Sequence, residues 1–108
     1  MDMELKNIFA DIEHVGEEEV FNVLGKSANC RIERIAAAGY SSPKGFWYDQ
    51  ENDEFIMLLQ GEATLEFEDR MIDMKAGDYL IIHKNCRHRI EKSSLDPVCV
   101  WLCVFDLE

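Results

Sequence analysis

Glu54 and His88 are the side chains of this 108-residue sequence best suited to acid–base chemistry away from water. Each lies in a run of alternating polarity, on the side that carries apolar residues. Glu54 shares its face with Ile56 and Leu58; His88 shares one with Cys86 and Ile90, while Arg87, Arg89 and Glu91 take the other. A carboxylate and an imidazole turned into a core need partners, because an isolated buried charge is costly. Such a pair could move a proton near neutral pH, hold a cation, or satisfy each other by hydrogen bonding. All three uses stay open at this point. Around the pair, Phe46, Trp47 and Tyr48 with Trp101 could form an aromatic wall for a small ligand, although ordinary core packing uses the same residues. In "CRIERIA", either Arg34, on the face of Ile32, or Glu33, on the face of Ile35, could point inward; a solvent-facing ion pair is the commoner outcome. His83, beside Lys84 and Asn85, and His14, among acidic residues, read as surface positions.

Strands must bring these groups together. Short apolar runs of period two, broken every eight to ten residues or so by turn chemistry, read as a β-sandwich or barrel. In "EATLEFED", Ala63, Leu65 and Phe67 alternate with Glu62, Thr64, Glu66 and Glu68, which predicts a strand with one wet face. "EFIMLLQ" is apolar on both faces and ends at Gly61, where the chain can turn without a Cβ penalty. Gly77 and Asp78 predict a turn before "YLIIH", and "RHRIEK" alternates again. "VCVWLCVF" puts Cys99, Trp101, Cys103 and Phe105 on one face and Val98, Val100, Leu102 and Val104 on the other. Both faces need cover, from the N-terminal segment or from a second subunit, and a homodimer is expected. "GEEEVFNVLGKS" fits helix or strand, and strand is preferred there as in "CRIERIAAAG".

The stretch from Trp47 to Ile90 resembles the cupin superfamily. "YDQENDEFIMLLQG" keeps the second half of the first cupin motif, Glu54 followed by six residues and Gly61, with Tyr48 and Gln50 at its two histidine positions. "GDYLIIHKNCRHRIEK" keeps Gly77 at the head of the second motif and His88 at its histidine, with His83, Asn85 and Lys92 at the proline, glycine and asparagine positions. The segment between the motifs, Glu62 to Ala76, is 15 residues long, as in compact members of the family. The resemblance implies an all-β double-stranded β-helix, or jelly-roll barrel, as a single domain over 1–108 with its barrel core at about 29–106. In metal-bearing members the motif positions hold a divalent transition metal such as zinc, iron, manganese or nickel. Carried over, the ligand set would be Tyr48, Gln50, Glu54 and His88. A phenol and an amide in place of two imidazoles are poor donors. A site of Glu54, His88 and water, or a metal-free hydrogen-bonded pair, are then equal alternatives.

The function expected on this basis is a cupin that binds a small polar metabolite in its barrel, with Glu54 and His88 as catalytic groups. Tyr48, Gln50, Arg34, Trp47 and Trp101 are the candidate ligand contacts. Proton transfer, as in isomerisation or epimerisation of a sugar or carbonyl compound, suits these residues better than oxygen chemistry. The rival is a non-catalytic ligand-binding or sensor domain that has lost its metal. With 22 acidic against 11 basic residues, the net charge of −11 disfavours nucleic acid and anionic lipid as partners. No apolar run approaches a membrane span and the N-terminus does not read as a secretory leader, which predicts cytoplasm. Cys30, Cys86, Cys99 and Cys103 form no C-x-x-C pair and are expected to be buried thiols without a disulfide.

Overall fold

The computed structural model describes residues 3–107. Eight strands follow one another: β1 Val20–Lys26, β2 Arg31–Ala37, β3 Asp53–Gln60, β4 Glu62–Phe67, β5 Met71–Lys75, β6 Tyr79–Ile82, β7 His88–Ser93 and β8 Cys99–Leu107. They form two antiparallel sheets, ordered β1-β2-β8-β3-β6 and β5-β4-β7. The fold is thus all-β, and the sheets begin at Val20, ahead of the 29–106 core expected from the sequence.

Alternation decides what lies between the sheets. Ile56, Leu58, Leu65, Ile90, Cys99, Trp101 and Cys103 form the buried core. The strand pairing Phe67 with His88 and Leu65 with Ile90 puts all four on one face. Arg89, on the other face of β7, donates to Glu66 Oε1 at 2.7 Å and to the Ser42 carbonyl at 2.6 Å, and so fixes the register that turns His88 inward. Thr64 departs from the expected wet face of β4: it is buried and donates to Asp73 Oδ1 at 2.8 Å.

The outer face of β8 is covered in part by this chain's own N-terminal segment. Val100 on that face is fully buried. Beside it, Arg34, in register with Leu102, donates to the carbonyls of Ile8 and Ala10 and to Asn22 Oδ1. Apolar surface nonetheless stays open on edge strand β1, where Val20, Phe21, Val23 and Leu24 are exposed. Among the described residues no helix is long and apolar enough to cross a membrane.

The β3–β4 turn depends on Gly61, whose φ is +93°. A Cβ there would stand 2.7 Å from Ser94 Oγ, 2.8 Å from Cys99 Sγ and 3.1 Å from the Cys99 backbone. Gly61→Ala is expected to cost about 1–3 kcal/mol, from the left-handed conformation and the close approach together. Urea denaturation checks this; an unchanged midpoint would contradict it.

Candidate functional site

Glu54 is the second residue of β3 and His88 the first of β7, so the site lies where strands from both sheets begin and the interior meets the loops. A cavity of about 70 Å³ opens there, lined by Glu54, His88, Tyr48, Gln50, Trp101 and Glu19 among apolar neighbours. That is room for a few atoms beyond hydrogen, on the scale of two or so waters. Larger clefts lie elsewhere, one along β4, β5 and β7 and one at the turns that follow β3, β5 and β7, and hold none of these groups.

Glu54 and His88 meet in this cavity. Both are almost fully buried, and Glu54 Oε1 stands 3.7 Å from His88 Nε2. The separation is too long for a direct hydrogen bond. Among the described residues, Oε1 has no hydrogen-bond partner. Burial pushes the Glu54 carboxyl up to about 7, against the opposing pull of Gln50 and Cys103. Burial pushes His88 down, while its bond to the Cys86 carbonyl pulls the other way. That bond, 3.0 Å from Nδ1 to the carbonyl oxygen, places the ring proton on Nδ1 and leaves Nε2 as an open acceptor facing Glu54.

The imidazole is held from both sides. Tyr48 stacks on it with ring centroids 5.4 Å apart, and Phe67 lies at 6.1 Å. A backbone bridge between Tyr48 and His88, with N–H to carbonyl distances of 2.7 and 3.1 Å, ties the 46–50 segment to β7. The Tyr48 hydroxyl donates to Glu19 Oε1 at 2.9 Å. Burial, then the Glu19 charge, pushes the phenol well above its ordinary range, and burial raises Glu19 as well.

Five of the seven residues expected at the pocket are brought together: Glu54, His88, Tyr48, Gln50 and Trp101. Arg34 is not among them. It lies on the opposite face of β2, under the N-terminal segment, because the inward positions of that strand are those paired with Trp101 and Cys103, namely Ile35 and Glu33. Glu33 is accordingly buried and paired with Arg31. Trp47 also stands outside the cavity; alternation with Tyr48 turns it away, and the Arg87 guanidinium packs over its ring at 5.4 Å. Cys86 does not share the His88 face either. It lies in the turn before β7, exposed, after Asn85 with a φ of +61°. Cys99 and Cys103 are buried, Cys30 partly so.

Glu19 is the pocket residue that sequence reasoning missed. Its signal was the alternation of β1 continued backwards: Phe21, paired with inward-facing Ile35, places Glu19 on the same side. The acidic run "GEEEV" hid it, since three adjacent glutamates read as a solvated stretch.

The family description "Cupin domain" matches residues 32–105. This chain belongs to the cupin family. A protein from Ralstonia eutropha JMP134 that carries the provisional name mannose-6-phosphate isomerase is 36% identical, with 94% of this chain and 96% of that one covered and a TM-score of 0.89. A cupin superfamily protein from Desulfitobacterium hafniense DCB-2 is 23% identical over 100% and 95% of the two chains, TM-score 0.78. A cupin with a double-stranded β-helix fold from Methanocaldococcus jannaschii is 18% identical over 96% and 90%, TM-score 0.71. A search of curated proteins returned no match.

The cupin metal positions can be tested on the donors this chain supplies. Glu54 and His88 offer one carboxylate and one imidazole, Gln50 offers an amide, and the Tyr48 phenol is pushed away from ionisation and bonded to Glu19. Among the described residues no third His, Cys, Asp or Glu joins the pair. Catalytic sites for zinc and its neighbours commonly use three strong protein ligands. These residues do not fit such a resident metal.

Proposed function

We infer that this cupin catalyses proton transfer on a small, uncharged hydroxycarbonyl compound, interconverting an aldose-like and a ketose-like form. The observation that carries the reading is the Glu54–His88 pair, with Oε1 and Nε2 3.7 Å apart, the carboxyl poised at about 7 and the imidazole neutral. A base works best when its pKa lies near the working pH. In the proposed reaction the ionised Glu54 takes the hydrogen next to the carbonyl as a proton. The acid so formed faces the unprotonated Nε2 of His88, 3.7 Å away, whose tautomer is preset by the Cys86 carbonyl.

The relative named for an aldose–ketose isomerisation supports the reaction class. Size and charge argue for a different substrate. A cavity of about 70 Å³ suits the reacting end of a compound no larger than three carbons better than a hexose phosphate. The ionised Glu54 that the reaction needs repels a phosphate dianion.

Proton NMR in deuterium oxide tests the reading. Dihydroxyacetone is expected to take up deuterium at carbon and to yield glyceraldehyde faster with the protein than without it, whereas mannose 6-phosphate is not. Incorporation no faster than in buffer would sink the catalytic reading and favour a binding domain. A preference for mannose 6-phosphate would overturn the substrate class alone.

A further inference from the structure

We propose that Glu19 and Tyr48 form a second proton-handling unit in this cavity, which serves the oxygen atoms of the substrate while Glu54 and His88 serve its carbon. The inference rests on the isomerase reading and deepens it. Its basis is geometric: the cavity is lined by two separate ionisable pairs, Glu54 with His88 and Glu19 with Tyr48. The Tyr48 hydroxyl lies 2.9 Å from Glu19 Oε1, and its ring stacks on the His88 imidazole. The two units are therefore adjacent yet reach the cavity from different elements, the segment before β1 and the 46–50 loop for one, β3 and β7 for the other. Nothing in a packed core requires the Glu19–Tyr48 pair: a phenylalanine at 48 and an apolar residue at 19 would fill the same space without burying a carboxyl.

A 1,2-isomerisation needs this second unit because it moves two protons. In the first half, Glu54 takes the carbon-bound proton, and the electron pair left behind forms the carbon–carbon double bond of an enediol. The carbonyl oxygen meanwhile takes a proton from the Tyr48 hydroxyl, which is refilled from the Glu19 carboxyl. In the second half, the original hydroxyl returns a proton to Tyr48, and through it to Glu19, as the new carbonyl forms. Glu54 gives its proton to the neighbouring carbon. Both glutamates end as they began, and no oxidant or metal enters the balance. Burial favours the protonated form of Glu19 that the first half requires. The same 2.9 Å contact serves whichever partner donates.

Glu19→Gln and Tyr48→Phe separate this role from packing. The amide of the first still accepts the Tyr48 hydrogen bond but cannot relay a proton; the ring of the second still stacks on His88. The readout is the ratio of glyceraldehyde formed to deuterium incorporated at carbon, with dihydroxyacetone as the probe in deuterium oxide. We expect that ratio to fall about 10²-fold in both variants, the usual worth of a positioned acid–base group. An unchanged ratio in either variant would overturn the relay while leaving the reading of Glu54 intact. Absence of carbon exchange in the wild type would overturn that reading, and the relay with it.

Discussion

Glu54→Gln is expected to be more stable than the native protein at pH 8, by up to about 3 kcal/mol, and to lose carbon exchange by about 10²–10⁴-fold. Both effects have one cause. Folding raises this carboxyl from an ordinary 4.5 to about 7, chiefly by burial. A carboxyl raised in the folded state leaves stability intact below pH 4.5. Stability then falls as pH rises towards 7, because the unfolded chain ionises first, and the loss is complete above it. Glutamine has no proton to lose, so the variant escapes the penalty. His88 acts in the opposite direction: its lowered affinity costs stability as pH falls below the ordinary histidine value. Thermal unfolding from pH 4.5 to 8.5 should give a gap between the two proteins that is small at the acid end, grows from pH 4.5 to 7 and stays constant above it. Parallel curves would show that Glu54 ionises as an exposed glutamate does.

His88→Ala should remove carbon exchange to a similar extent while costing about 1–3 kcal/mol in stability, the penalty for an orphaned buried partner. The ring is packed between Tyr48 and Phe67, and its loss leaves the Cys86 carbonyl without its donor. Glu54 would then face the cavity without the imidazole beside it. Urea denaturation and the exchange assay together decide the matter. A variant that unfolds outright, or that exchanges as fast as the native protein, would show that His88 is a packing residue only.

Most of the fold was legible because period-two alternation is a local property of the chain. The runs from Glu54 to Gln60 and from His88 to Lys92 each put one ionisable residue on an apolar face, and the core is built on those faces. Alternation also stops being informative at strand ends. Cys86 was placed beside His88 by extending the pattern two residues too far, into a turn with a left-handed Asn85. Arg34 and Glu33 could not be separated within "CRIERIA", since isoleucines flank both. Pairing with β8 separates them, and that contact spans most of the chain. Glu19 was obscured by its neighbours for a similar reason: its direction is set by Phe21 and by the partner strand, while its composition matched a solvated loop. The half-motifs from Glu54 to Gly61 and from Gly77 to His88 locate the pocket, but the partner of Tyr48, Glu19, lies outside both motifs.

Carbon exchange in this barrel requires a Glu54 carboxyl that titrates near neutral pH. Its side-chain carbon-13 shift, followed by NMR from pH 3 to 9 and assigned by comparison with Glu54→Gln, reads that state directly. The expected midpoint is about 7, with a matching perturbation of the His88 imidazole resonances over the same interval. A midpoint near 4.5, with His88 titrating independently, would mean that the carboxyl is solvated and that no poised pair exists in the barrel.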